Sequence, residues 1–546
     1  MNGEITQRYR WGLAVFAACV TFPFLGSFGL LEPDEGRFAQ IGREMMASGN
    51  FLVPRLNGIE QFYKPPLVYW INAVGYRLLG VSEWTARLPS ALAFLGTIWL
   101  TGWMGWRLGG CKRGWAAALI LASMLEPYAL GRQITLDTTL TFWVTAALTC
   151  LVRVGTGDQA KKSGFLFFLC LGLGFLAKGP MAWVVPLTAA LAWTVALRAE
   201  GQRLGLPWMK GLLLMAGISL SWFVAACWKY PELWKYFLGY ELVERFASTT
   251  HGRSKPFWFF LPILAVGTIP WTGFLPGLAW SAWRKVRNRS LTPAQWALGA
   301  AVMVPFGVVS CSGSKLLTYI LPLYPSLALA LATWLEKGPR SPWAKFGWGA
   351  AAGILLAFSP LLWAVQFFWS EAAGIAPSLP YLIGVPLAVM GMGLVWWKNK
   401  EKPLAWVAGL ALAAIVVWHG ACLEMGRIND LLGRQASVRP LARLVEKHQP
   451  ERLFIYRARA AGLLFTTDRR VWINRADADV VVEPSTEAKG RFFEKPEDLR
   501  QGLSQGQRVE GITLRHIFRE EFDPSRWEVV GRSGEFLLVR AYGAGI

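Results

Sequence analysis

The stretch FLFFLCLGLGFLAKGPMAWVVPLTAALAWTVAL, residues 165–197, decides the fold. Its one charge is Lys178, and Lys178-Gly179-Pro180 divides it into apolar runs starting at Phe165 and Met181, which read as consecutive membrane helices joined by a tight turn. Working outward, similar runs start near Trp11, Ala86, Trp115, Asp137, Trp208, Phe257, Gln295, Leu316, Phe346, Tyr381 and Leu404, which makes about 13 candidate spans. The composition agrees. With 54% apolar and 17% charged residues and a mean hydropathy of +0.34, the 546-residue chain is no ordinary soluble enzyme. Its 30 Trp, 32 Phe and 13 Tyr exclude disorder. This is the pattern of a polytopic α-helical membrane protein.

A formal charge of +21 would suggest a nucleic-acid partner in a soluble protein, but here the cations report topology. Every second short loop is basic. With Arg8 and Arg10 cytoplasmic, the same side receives Arg107/Lys112/Arg113, Arg153/Lys161/Lys162, Arg198/Arg203/Lys210, Arg284/Lys285/Arg287/Arg289, Lys337/Arg340/Lys345 and Lys398/Lys400/Lys402. The opposite short loops carry at most one cation, such as Arg132, Lys178 or Lys315. An odd number of spans then puts the C-terminus outside. The first run, Trp11 to Leu31, lacks a small-residue cleavage site and is expected to remain as a helix. Cys19, Cys111, Cys150, Cys170, Cys227, Cys311 and Cys422 form no C-x-x-C pair and read as buried small apolar residues.

Two long non-spanning stretches, 32–85 and 229–256, fall outside. In the first, Arg37 to Met46 and Phe62 to Leu79 have helical apolar spacing and read as amphipathic interfacial helices. The chain thus divides into a membrane domain, 1–425, and a C-terminal soluble α/β domain, 426–546, where the composition turns charged. There the pattern predicts a helix over Val438 to His448 and strands at 452–456, 479–482 and 536–539.

The polar residues that could carry chemistry gather at outer helix ends. Leu31-Glu32-Pro33-Asp34-Glu35-Gly36-Arg37 follows the first span, and its acids could equally cap the next helix. Phe62-Tyr63-Lys64-Pro65-Pro66 presents a cation before two prolines, or a snorkelling lysine. Asp137 opens a span as a natural N-cap, and Lys178 complements a helix C-terminus. Glu244-Arg245-Phe246 and His251 occupy the second long stretch, and Lys315 and Tyr319 lie four apart, on one helix face at the outer end. Together they place several cations and carboxylates on one membrane side, as a lipid phosphate and a reacting group require.

The order Glu-Pro-Asp-Glu-Gly-Arg (32–37), Tyr-Lys-Pro-Pro-Leu (63–67), Leu-Asp (136–137), Ala-Lys-Gly-Pro (177–180), Glu-Arg-Phe-Ala (244–247) and Lys-Leu-Leu-Thr-Tyr-Ile-Leu-Pro (315–322) resembles the bacterial C-type glycosyltransferases. These include the protein O-mannosyltransferase relatives and, most closely, the aminoarabinose lipid A transferases. The resemblance implies an undecaprenyl-phosphate-linked sugar donor, periplasmic-face chemistry in the inner membrane and lipid A as acceptor. Carried over residue by residue, it makes Asp34 the essential carboxylate, Asp137 the second acid, and Lys64, Arg245 and Tyr319 donor-phosphate ligands. Glu35 joins the catalytic candidates, Arg37 and Lys315 the phosphate ligands, and Tyr63, Lys178 and His251 the substrate contacts. One departure stands out: the family commonly has Glu before the motif lysine, where this chain has Tyr63. No cofactor is called for, and a divalent metal is left unassigned.

The implied reaction is a single displacement with inversion. Lys64 and Arg245 would neutralise the departing lipid phosphate, and losing either is expected to cost roughly 10- to 1,000-fold in rate. Asp34 would act as base towards a hydroxyl acceptor, or orient a phosphate acceptor that needs none. A flippase would line a crossing path with charges, whereas the helix centres here are nearly bare apart from Glu126. A scaffold would tolerate Asp34→Asn. The same donor chemistry on a protein hydroxyl or another surface glycan is the alternative within the enzyme class.

Overall fold

The computed structural model describes residues 2–239, 255–336, 341–373, 402–425, 429–475, 480–500 and 508–541. It is that of a mostly helical, polytopic membrane protein. Helices α1 (Asn2–Thr21), α2 (Asp34–Ser48), α3 (Leu67–Leu79), α4 (Glu83–Ser123), α5 (Leu125–Leu130), α6 (Leu136–Gly155), α7 (Ala160–Lys178), α8 (Met181–Ala199) and α9 (Trp208–Lys229) follow in order. The strand pair β1 (Arg55–Leu56) and β2 (Ile59–Glu60) lies between α2 and α3.

Seven helices among the described residues are long and apolar enough to cross a membrane: 136–155, 160–178, 181–199, 208–229, 293–311, 317–335 and 403–423. The segments Phe257–Gly267 and Trp271–Arg287, bent by 113° at their junction, bring the count to eight if they form one broken span. The runs at Trp11, Ala86, Trp115 and Phe346 are also helical, in α1, α4 and Pro342–Ala373. Tryptophan and glycine dilute their hydropathy, and α4 is interrupted at Gly109 and Gly110, the latter at φ +85°. The run at Tyr381 lies outside the described residues. About 13 spans are therefore not reached by length and composition.

Contacts define two compact units. The first comprises Met1–Pro23, Ser90–Phe223 and Leu238–Ala421. Within it α6 packs along α7, and Thr141, Thr145 and Thr149 return their hydroxyls to carbonyls four residues back, so α6 carries threonines without unsatisfied donors. At one end of this unit the expected cytoplasmic loops meet: Arg107 donates to Thr156, and Arg113 to Glu336. At the other, Arg132 is fully buried and donates to the carbonyls of Val20 and Thr21, closing the C-terminus of α1.

The second unit comprises Phe24–Pro89, Val224–Phe237 and Cys422–Ile546, so the first long stretch and residues 229–237 of the second share it with the C-terminal sheet. That sheet holds β3 (Arg452–Ile455), β4 (Trp472–Asn474), β5 (Phe492–Phe493), β6 (Val509–Leu514), β7 (Trp527–Ser533) and β8 (Phe536–Ala541), in spatial order β5-β4-β3-β6-β8-β7. The β3, β4, β5 and β6 pairings are parallel, and β8 is antiparallel to both β6 and β7. All six residues of the central β6 are buried, as the middle of a two-sided sheet requires. The helix Arg439–His448 contributes Leu441, Ala442 and Val445 to the same core as Phe454, Ile512 and Trp527. The strand expected at 479–482 does not form over 480–482, and residue 479 lies outside the described residues.

The first long stretch is fixed to the last by hydrogen bonds. Asn57, at φ +56°, exchanges a pair with Val471: its Nδ2 donates to the carbonyl at 2.8 Å and its Oδ1 accepts from the amide at 3.0 Å. Arg43 donates to the Phe465 carbonyl and pairs with Asp468, and Arg439 pairs with Glu83. Helix α2 buries Phe38, Ile41 and Met45 and meets α3 where Gly42 abuts Asn72; a Cβ there would lie 2.7 Å from the Asn72 Cβ. Helix α3 buries Val68, Tyr69, Ala73 and Tyr76 and leaves Ile71, Val74, Leu78 and Leu79 exposed, an apolar stripe of the kind an interfacial helix presents.

Candidate active site

The candidate residues fall in both units. In the second, the chain leaves α1, turns, and starts α2 at Asp34, placing two carboxylates in a first helical turn where the dipole favours them. The neighbours then part. Asp34 has 63% of its side chain exposed and accepts a 2.5 Å hydrogen bond from Arg37, one turn on. The Arg37 guanidinium lies 5.0 Å from the Phe38 ring centroid and 4.8 Å from that of Tyr63, so two rings and a carboxylate hold it. Tyr63 and Lys64 are half-buried, immediately before Pro65 and Pro66. Asp34, Arg37 and Tyr63 thus make one cluster, with an exposed acid at its edge and Lys64 next to Tyr63 along the chain.

Glu35 does not belong to it. Its side chain is 4% exposed, both oxygens accept from Arg87 at 2.9 and 2.7 Å, and Oε2 also accepts from the Leu31 amide. Arg87 in turn donates to the carbonyls of Leu25, Phe28 and Gly29. Glu35 is thereby corrected from catalytic candidate to the counter-ion of a buried arginine that gathers the exit of the first helix. Arg87 itself was readable: an arginine inside the apolar run Ala86-Arg87-Leu88 demands a carboxylate partner.

In the first unit, Thr135 caps α6 by accepting from the Asp137 amide at 3.1 Å, which turns the Asp137 side chain towards the end of α7. There Lys178, the last residue of α7 before Gly179 at φ +106°, forms an ion pair with Asp137 Oδ2. Asp137 sits at a helix N-terminus and Lys178 at a C-terminus, so each also complements its own dipole. Asp137 Oδ1 is buried with no hydrogen-bond partner among the described residues. The Lys178 ammonium lies 5.1 Å from the centroid of Tyr319, in the 3-10 helix Leu317–Leu323. Asp137, Lys178 and Tyr319 form the second cluster.

Lys315 stands apart from Tyr319. Leu316 is extended (φ −123°, ψ 144°), so no helix face joins the two residues. Lys315 is 7% exposed, and its ammonium donates to the carbonyls of Ser312 (2.6 Å) and Lys255 (3.0 Å). This corrects Lys315 from phosphate ligand to a tie between two chain segments. Arg245 and His251 lie outside the described residues. Among the described residues no three His, Cys, Asp or Glu side chains converge, and at position 63 a phenol stacks on a guanidinium.

Comparison with known proteins adds the following. The family model described as dolichyl-phosphate-mannose-protein mannosyltransferase matches residues 7–237. An undecaprenyl phosphate-alpha-4-amino-4-deoxy-L-arabinose arabinosyl transferase of Sodalis glossinidius is 35% identical over 67% of this chain and 65% of its own length. One from Edwardsiella ictaluri is 34% identical over 61% and 62%, and one from Pectobacterium atrosepticum 31% identical over 66% and 67%. The chain therefore spans a little under two thirds of the first two of these curated relatives. The crystal structure of ArnT from Cupriavidus metallidurans bound to undecaprenyl phosphate superposes with a TM-score of 0.78, covering 97% of this chain and 98% of that one at 24% identity, a likeness of fold.

Proposed function

The chain belongs to the family of the undecaprenyl phosphate aminoarabinose arabinosyl transferases, and on that premise we propose that it is an integral-membrane glycosyltransferase of the bacterial inner membrane. It moves aminoarabinose or a related sugar from an undecaprenyl-phosphate carrier to lipid A on the periplasmic face, with inversion. The N-terminus is cytoplasmic and the stretch from 426 onward is periplasmic. The observation that carries the reading is the exposed Asp34, held by Arg37 beside Tyr63, in a chain of this family.

In this reading Lys64, with Arg245, neutralises charge growing on the lipid phosphate as the glycosidic bond breaks. A phosphate is already a good leaving group, so no acid is needed to expel it. Asp34 faces the incoming acceptor. A lipid A phosphate is ionised at neutral pH and requires only orientation, whereas a hydroxyl requires a base. Arg37 orients the Asp34 carboxylate for either role by donating to it. Asp137, paired with Lys178 next to Tyr319, keeps one acceptor oxygen for a sugar hydroxyl or ammonium.

The test is mass spectrometry of lipid A from a host lacking its own transferase, with and without this gene, beside an Asp34→Ala control. A pentosamine increment that disappears in the variant is the expected result. Unchanged lipid A, with the protein expressed and the donor lipid present, would overturn it in favour of a protein or glycan acceptor.

A further inference from the structure

Two residues before Asp34, Glu32 is 3% exposed, although it belongs to a stretch outside the membrane. Its Oε1 accepts a 2.6 Å hydrogen bond from the amide of Gly462, which opens the helix Gly462–Thr467 in the C-terminal stretch. Its Oε2 is buried with no partner among the described residues. Two glycines admit this carboxyl. A Cβ on Gly36 would lie 2.9 Å from both carboxyl oxygens and 2.4 Å from the Gly462 amide, and a Cβ on Gly462 would lie 2.5 Å from Oε1. No wider side chain fits at either position while the carboxyl keeps its place.

We infer that Glu32 is a positioning residue for Asp34: its carboxyl, gripped between the first turn of α2 and that of Gly462–Thr467, fixes where the Asp34 turn sits against the C-terminal stretch. This rests on the transferase reading, in which Asp34 meets the acceptor. The segments it joins have little else in common along the chain, lying 430 residues apart. Arg43, which donates to the Phe465 carbonyl, holds the far end of the same helix pair, so removing Glu32 frees the Asp34 end alone.

The charge environment says which form of Glu32 does this. Burial raises its pKa from 4.5 to about 8, opposed by the Gly462 and Ala461 amides and helped by the nearby carboxylates of Glu35 and Asp34. Gly462–Thr467 brings only Gly, Leu, Phe and Thr side chains, none titratable. The grip is thus made by the neutral acid, whose ionisation would put an unpaired negative charge into a dry site near the carboxylates of Glu35 and Asp34.

The experiment uses the full chain in proteoliposomes. Glu32→Gln supplies the same acceptor in a permanently neutral group, and Glu32→Ala and Glu32→Asp withdraw it. Expected results are a kcat lowered tenfold or more by Ala and Asp, an unchanged KM for the donor, and rescue by Gln. The wild-type decline in kcat above pH 8 should vanish in Glu32→Gln. Hydrogen exchange should rise about tenfold at 33–38 and 461–465 in Glu32→Ala, and not in Glu32→Gln. Equal kcat per folded molecule in Glu32→Asp, or an alkaline limb shared by wild type and Glu32→Gln, overturns the inference. If the wild type transfers no sugar, the transferase reading fails and the exchange result still decides the grip. If exchange is unchanged while wild type is active, only the grip fails.

Discussion

Replacing Arg87 with Met should be among the most destabilising changes in the chain that touch no reacting group. Arg87 is 0% exposed, and its five N–H groups are used by two Glu35 oxygens and three carbonyls, with the guanidinium 4.1 Å from the Phe28 ring. Met matches much of the volume but takes both Arg87 donors from the Glu35 carboxylate, which is 4% exposed. Breaking a buried pair by deleting one partner costs about 3–5 kcal/mol. In a unit of roughly two hundred residues that is about 6–20 °C of melting temperature. The assay is thermal unfolding in detergent, read as the monodisperse fraction after heating. A cycle with Glu35→Gln isolates the pair: each single variant strands a buried partner, and the double should recover at least about 2 kcal/mol of the summed loss. An Arg87→Met melting within about 2 °C of wild type, or a double variant as unstable as the sum of the singles, would refute the buried-pair account.

Asp34→Asn should cut sugar transfer by roughly 100-fold or more, while undecaprenyl phosphate still binds, as a lipid-retention assay will show. Asp137→Asn and Lys178→Met should each strand one member of a buried ion pair and lower stability by about 3 kcal/mol, and the double variant should lose less than the sum, as read by thermal scanning. Gly36→Ala drives a Cβ to 2.4 Å from the Gly462 amide and should destabilise by about 1–3 kcal/mol, with Gly205→Ala, which meets nothing within 4 Å, as the comparison. The pH dependence has a definite sign. Glu32 takes up a proton on folding because its folded pKa, about 8, exceeds its ordinary 4.5, so its contribution is complete below about pH 4.5 and is lost as pH rises to about 8. Melting temperature should fall over that window in wild type and fall less in Glu32→Gln.

Helical runs, alternating basic loops and the motif order were legible because they depend on local composition and spacing. Burial of Arg132 and pairing of Asp137 with Lys178 follow from the same logic, since a lone charge at an outer helix end needs a carbonyl, a dipole or a counter-charge. The strand register was less legible. Val509–Leu514 is the central strand, yet Val-Glu-Gly-Ile-Thr-Leu carries a Glu and a Gly that weaken it as a pattern. The glutamate is tolerated because Arg540, from the adjacent β8, and His448 take its oxygens. That partner set is assembled by the sheet and is invisible in a window of sequence.

The same limit explains the division among Glu32, Asp34 and Glu35. All three are acids within four positions, and capping, dipole and motif arguments treat them alike. Their fates are set by different partners: Gly462 for Glu32 and Arg87 for Glu35, both distant along the chain, and Arg37, one turn along, for Asp34. The distant partners go with burial, since a hydrogen bond to a carboxyl group, neutral or ionised, is strong only where water is excluded. Asp34 is left at the surface because both neighbours have been drawn inward, and it therefore keeps the access to an acceptor that a reacting carboxylate needs. The two buried acids are in this sense the reason the exposed one is held in place.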